Sequence, residues 1–154
     1  MRRNEKETSD IQVIEDIIRK ADVCRMALAN GNIPYIVTMN FGYTGGISPS
    51  IFFHCAKEGK KLDMIRKNNC VCFEIDTDHQ LYSGKKSCNW GMRYKSVIGY
   101  GNVTVLTERE AKIGGLNCIM THYGGKGEYS YNDDLFERTL ILRLDITEMT
   151  GKIG

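Results

Sequence analysis

The sequence predicts a mainly β fold, a small antiparallel barrel with flanking helices. Three observations predict it. Six strand-like runs, short in the first half of the chain, are joined to one another or to helical stretches by turns and loops. Asn30-Gly31 and Gly45-Gly46 mark sharp reversals between such runs, the chemistry of hairpins rather than of crossovers. The order of elements reads helix, three strands, helix, two strands, helix, strand. That order argues against a parallel doubly wound sheet, in which strands and helices alternate. Six antiparallel strands of this length close naturally into a small barrel with helices over its openings. No repeat, low-complexity tract or linker divides the chain, so residues 1–154 are read as one domain.

The first helix is predicted over 9–20, with Ser9 and Gln12 as a capping box and Ile11, Ile14, Ile17 and Ile18 as the apolar face. In the strand 23–29, Cys24, Met26 and Leu28 form the more apolar side. The return strand is 34–43, and a third strand, 50–56, follows a Thr44-Gly45-Gly46 turn. A charged stretch, 57–68, carries Leu62, Met64 and Ile65 at the spacing of a short surface helix. The strand 70–82 places Val71, Phe73 and Ile75 on one face. Residues 83–89 read as a polar loop, and 92–106 as a long strand that Gly99 and Gly101 bend or bulge. Thr107 and Glu110 form a second capping box for a helix to about Tyr123, with Ile113, Leu116 and Met120 on one side. Within that helix, Gly114 and Gly115 either weaken it or permit close packing. A Gly- and Asp-rich loop, 124–134, leads to the last strand, 138–146.

Composition narrows the function. With 42% hydrophobic and 26% charged residues, the chain is not of the disordered class. No apolar run approaches the ~18 residues of a membrane span. The polar start, MRRNEKETSD, lacks the pattern of a secretory leader, which points to the cytoplasm. The net charge of +2, from 21 basic and 19 acidic residues, is too balanced for a general nucleic-acid binder. Six cysteines without CxxC spacing read as reduced, mostly small core residues. The scattered histidines 54, 79 and 122 give no metal-ligand spacing, so no metal is expected.

One segment concentrates chemistry. Lys57, Lys60 and Lys61 cluster where a strand gives way to a helix. A helix start already carries free N–H groups and partial positive charge, so cations gather there unfavourably unless an anion joins them. The segment is therefore either a phosphate site or a solvated lysine patch. Neither a Walker-type loop nor a GxGxxG motif is present. Thr38 and Asn40 mark the polar face of the second strand, either facing outward or offering hydrogen bonds to a flat polar ring. Trp90, with Arg93, Tyr94 and Ser96 nearby, either stacks on a ring or caps the core.

Four pieces, DVCRMALANGNIPYIVTMNFGY, FFHCAKEGKKLDMIRKN, VCFEIDTDHQL and SCNWGMRYKSVIGYGNV, occur in the order and spacing of a known family. Together they resemble the pyridoxamine 5′-phosphate oxidase-like flavin-binding split barrels, most of all the nitroimidazole-resistance (Nim) type. The resemblance implies a six-stranded antiparallel split barrel that forms homodimers, with two flavin sites at the subunit interface. FMN is the implied cofactor, with FAD possible because an adenylate could extend into solvent. The ring would lie along Val37, Thr38, Met39, Asn40 and Phe41, with His54, Cys55 and Ala56 lining the pocket. The phosphate would meet Gly59, Lys60 and Lys61, while Trp90, Met92 and Ser96 would approach the partner's flavin. The implied activity is transfer of electrons from NADH or NADPH to a small acceptor such as a nitroimidazole. His54 would either donate a proton to that acceptor or only pack on the flavin. A non-catalytic flavin or haem carrier, and a barrel with merely solvated lysines, are the competing expectations. A small barrel is filled by its own side chains, which favours a dimer that shares its flavin sites.

Overall fold

The computed structural model describes residues 4–127 and 129–154. Residues 1–3 of the polar start and Glu128 of the predicted 124–134 loop lie outside the described residues. The strands are β1 (Glu7–Thr8), β2 (Cys24–Asn30), β3 (Ile33–Met39), β4 (Gly42–Thr44), β5 (Ser50–Ala56), β6 (Cys70–Tyr82), β7 (Gly91–Leu106) and β8 (Thr139–Ile153). The helices are α1 (Ile11–Lys20), α2 (Lys60–Lys67), α3 (Arg109–His122) and α4 (Asp133–Arg138).

All strand pairs are antiparallel, and the sheet runs β3-β2-β6-β7-β8-β5-β4, with β1 added to β8. The two ends of this path belong to one stretch of chain, because only Asn40 and Phe41 separate β3 from β4. The segment 33–44 is thus the first and last stave, and the sheet closes on itself as a split barrel. The predicted strand 34–43 is these two halves. Counted by chain stretches, the barrel has the six expected staves, and β1 is an addition.

Alternation along each strand fills the interior. Cys24, Met26 and Leu28 of β2, Val71, Phe73 and Ile75 of β6, and Ile51 and Phe53 of β5 are buried. Phe41, Phe53 and Phe73 are fully enclosed, each worth roughly 1.5–3 kcal/mol of burial. Ile14, Ile17 and Ile18 of α1 join this core, as do Leu62, Met64 and Ile65 of α2. On β7, the register with β8 shifts between Tyr100 and Gly101, the bulge that the glycines predicted. A Cβ at Gly101 would lie 2.2 Å from the Asp145 carbonyl oxygen, so only glycine fits the strand there.

Several details differ from the sequence reading. The cap of α1 is Asp10 rather than Ser9: its carboxylate accepts from the Gln12 N–H at 2.9 Å, which also suits the helix dipole. At α3 the cap position is Glu108 rather than Thr107, with no side-chain capping bond. The buried stripe of α3 is Lys112, Gly115 and Ile119, whereas Met120 is exposed. Gly115 explains that rotation, because its missing side chain lets α3 settle against Ile141 and Phe52. Finally, α4 occupies part of the predicted loop, and β8 continues to Ile153 beyond the predicted end at 146. All six cysteines are free, but only Cys24 is fully buried; Cys70 and Cys88 are exposed. The expectation of mostly core cysteines therefore fails.

Candidate functional site

Four elements meet around an open cleft of about 480 Å³. The end of β3 and the residue after it supply Thr38, Met39 and Asn40. The end of β5 supplies His54, Cys55 and Ala56, the start of α2 supplies Lys61, and the α4–β8 junction supplies Arg138 and Thr139. Sheet register sets this meeting. Pairing of His54 with Ile141 and of Ala56 with Thr139 lays the end of β5 beside the start of β8. Packing of α2 on β2 brings its first turn to the end of β3.

The cleft is electropositive. Gly59 occupies the cap position of α2 at φ 132°, a conformation that favours glycine, and no side chain caps the helix. The Leu62 and Asp63 N–H groups turn back to the Gly59 carbonyl at 2.9 and 3.2 Å. Among the described residues, no carboxylate pairs with Lys57, Lys60, Lys61 or Arg138. The carboxylate of the first turn, Asp63, is taken by Arg66 at 3.2 Å. Lys60 Nζ instead lies 4.5 Å from the centre of the Tyr35 ring, and Lys61 Nζ lies 3.6 Å from Met39 Sδ. Unpaired cations at an uncapped helix start suit a small anion such as a phosphate. Burial pushes the Cys55 thiol up, against the opposing pull of the Lys61 ammonium, so it is a neutral thiol at pH 7.

Seven of the expected residues line the cleft: Thr38, Met39, Asn40, His54, Cys55, Ala56 and Lys61. Gly59 and Lys60 adjoin it at the start of α2. Val37 is half-buried against the core. Phe41 departs from expectation. It is fully buried, 4.2 Å from the His122 ring, and its N–H donates to Tyr123 Oη, because the chain turns inward between β3 and β4. Trp90 and Met92 are exposed at the far end of the β6–β7 hairpin and do not join this cleft. Ser96 is buried on β7, between Asp76 and Lys152 in register, and does not join it either. Arg138 and Thr139 were not anticipated, although the sequence marks both ends of α4: Asn132 caps it by accepting from the Leu135 N–H, Asp133 and Asp134 fill its first turn and Arg138 its last.

A larger cleft of about 570 Å³ lies between α1, β4 and α3. Its guanidinium, Arg19, is already paired with Glu15, so it lacks the free cations of the β3–β5–α2 cleft.

Fold and cleft define a class: a split barrel with an electropositive cleft at its rim. The chain belongs to the pyridoxamine 5′-phosphate oxidase family, whose model matches residues 10–153. A crystal structure of a proposed 5-nitroimidazole antibiotic resistance protein from Bacteroides thetaiotaomicron is 33% identical over 96% of this chain and 86% of its own, with a TM-score of 0.82. The FAD and heme binding protein from Mycobacterium smegmatis has the same fold at 18% identity, covering 97% of this chain and 73% of its own, with a TM-score of 0.83. An FAD-binding protein from Mesorhizobium loti shares the fold at 19% identity, 97% coverage of each chain and a TM-score of 0.69. A search of curated proteins finds no match. Among the described residues, no helix is long and apolar enough to cross a membrane.

Proposed function

We propose that the chain binds FMN in the β3–β5–α2 cleft and passes electrons from NADH or NADPH to a small acceptor such as a nitroimidazole. The observation that carries this reading is the pair Lys60 and Lys61, without carboxylate partners among the described residues, at the uncapped start of α2. The similarity to a proposed 5-nitroimidazole resistance protein supports the acceptor class. Similarity in fold to FAD-binding proteins supports a flavin.

A bound flavin supplies the capacity to take hydride from a nicotinamide and release one or two electrons. The chain's own residues do the rest. Lys60, Lys61 and the first N–H groups of α2 hold the phosphate. Residues Thr38–Asn40 present polar groups along the ring, and Arg138 adds a third cation near the phosphate end or the ring edge. His54, an exposed residue of the cleft lining, is the group in reach to donate a proton to a reduced acceptor oxygen. The openness of the cleft leaves room for the adenylate of FAD.

The active form in this reading is a homodimer. Trp90 and Met92, exposed and remote from the cleft of their own chain, then serve the partner's flavin. Exposed Ile36 of β3, with Ile98 and Tyr100 of β7, supplies apolar surface for a second copy.

The test is titration of flavin-free protein with FMN and FAD, followed by anaerobic addition of NADH or NADPH and then a nitroimidazole. Expected are micromolar or tighter FMN binding, bleaching of the flavin band and recovery on adding the acceptor. Binding without bleaching establishes a flavin carrier instead, and no binding overturns the cleft assignment. Sedimentation equilibrium of the flavin-loaded protein tests the dimer, and a monomer at all concentrations overturns it.

A further inference from the structure

His54 and Thr139 line not one cavity but two. On their other side lies a pocket of about 380 Å³ beneath α3, residues 130–132 and α4. Its walls are apolar: Leu116, Ile119, Met120, Leu135 and Phe136. Met120 and Leu135 remain 42% and 66% exposed, apolar surface left open at the rim. Among the described residues, no Lys, Arg, Asp or Glu lines the pocket.

The neighbouring cations are already engaged. Lys112 Nζ donates to the Phe136 carbonyl at 3.0 Å and stands 4.1 Å from the centre of the Phe136 ring. Arg109 lies 4.9 Å from the same ring and pairs with Asp133. These contacts clamp Phe136 in place, so the wall is preformed. Tyr131 is fixed as well, its hydroxyl donating to Asn117 Oδ1 at 2.6 Å. Ser130 and Asn132 put polar groups among the apolar walls.

We infer that this pocket is the acceptor site, and that it takes an uncharged, flat, largely apolar ring, with His54 standing between ring and flavin cleft. The inference rests on the proposed flavin cleft. A charged ligand would lose its hydration here without meeting an opposite charge, which is costly. An uncharged ring loses little and gains contact with aromatic and Met side chains.

The test uses isotope-labelled protein, with and without FMN, titrated with nitrobenzene and with its anionic analogue 4-nitrobenzoate. Nitrobenzene is expected to shift the amide signals of Leu116, Met120 and Leu135, and 4-nitrobenzoate is expected to bind at least tenfold more weakly. Leu135→Glu, at a position exposed enough to leave the fold intact, should weaken nitrobenzene at least tenfold and change FMN affinity less than twofold. Equal binding of both probes, shifts confined to another region, or an unaffected Leu135→Glu variant overturns the inference. So does a pocket closed to the probe by a second copy, seen as concentration-dependent shifts at the same amides. If FMN fails to bind while nitrobenzene still shifts these amides, the flavin reading falls and the pocket stands. If FMN binds and the amides stay unmoved, the pocket falls alone.

Discussion

Lys61 Nζ lies 3.6 Å from Met39 Sδ, so the first turn of α2 touches the end of β3 through a cation and a thioether. A thioether is a weak acceptor and cannot neutralise an ammonium. The contact positions Lys61 without satisfying its charge, and the charge stays available to a ligand.

Replacing Lys60 and Lys61 together by Ala should therefore weaken FMN sharply. Each lost charge-assisted bond costs about 1.5–3 kcal/mol, so Kd should rise at least roughly 100-fold for the pair. Flavin fluorescence quenching measures it. Thermal stability without ligand should hold or improve, since two unpaired cations leave the helix start.

Adjacent glycines of α3 should respond with opposite signs. A Cβ at Gly115 would lie 2.6 Å from Ile141 Cγ2, inside the core, while one at Gly114 would meet nothing within 4 Å. Gly115→Ala should destabilise by about 1–3 kcal/mol. Gly114→Ala should stabilise by about 0.5–1 kcal/mol, the gain in helix propensity. Urea denaturation of the two variants reads the contrast.

Thiol labelling should separate the cysteines. Burial pushes the Cys118 thiol up to about 11, against a usual 9.0. Its thiolate population, and with it the labelling rate, falls on the order of a hundredfold below an ordinary thiol's. Cys24 is fully buried and should label only on unfolding, whereas Cys70 and Cys88 are exposed and should label first. Mass spectrometry after a timed pulse at neutral pH gives the order.

Acid should weaken the outer face of the barrel at Asp76, one carboxylate of an ion-pair network in which burial raises the other, Glu74. Arg25 on β2 reaches Glu74 at 2.9 Å and Asp76 at 2.6 Å on β6, and His79 adds a 3.0 Å contact to Asp76. Burial alone would raise Asp76, but the Arg25 and His79 contacts together hold it below its usual 3.8. A lowered carboxylate stabilises the fold above its unfolded value and loses that contribution as pH falls through its folded one. Asp76→Asn should thus cost stability at about pH 6, and the difference from the parent should shrink below about pH 4. Chemical denaturation at several pH values checks the convergence.

Where side chains alternate or recur on one face, the sequence was legible. The buried faces of β2 and β6 and the isoleucine stripe of α1 follow directly from that spacing. Lys61, His54, Cys55 and Ala56 were legible because strand end, Gly59 and helix start are contiguous in sequence. What could not be read depends on distant contacts. Phe41 lies in a polar-flanked run, and only the turn between the halves of one stave sends it inward. Arg138 reaches the cleft because β8 pairs with β5, a neighbourhood set more than eighty residues apart. The apolar side assigned to Ile113, Leu116 and Met120 was displaced by Gly115, whose close approach to Ile141 turned the helix. The second half of β8, TEMTGKI, mixes polar and apolar residues too freely to announce a strand, yet partners on β7 and β1 order it.

The central place of β8 has a consequence for biosynthesis. It separates β7 from β5, so without it the β4–β5 side has no partner to close against. A chain emerging from the ribosome can form the β2–β3 and β6–β7 hairpins early, from local contacts. The barrel itself cannot close until β8 has emerged. Closure is then governed by long-range pairing, the slow regime for β topologies. Until that moment the apolar interior of every earlier strand is uncovered, and a nascent chain stalled before β8 is the form most in need of chaperones.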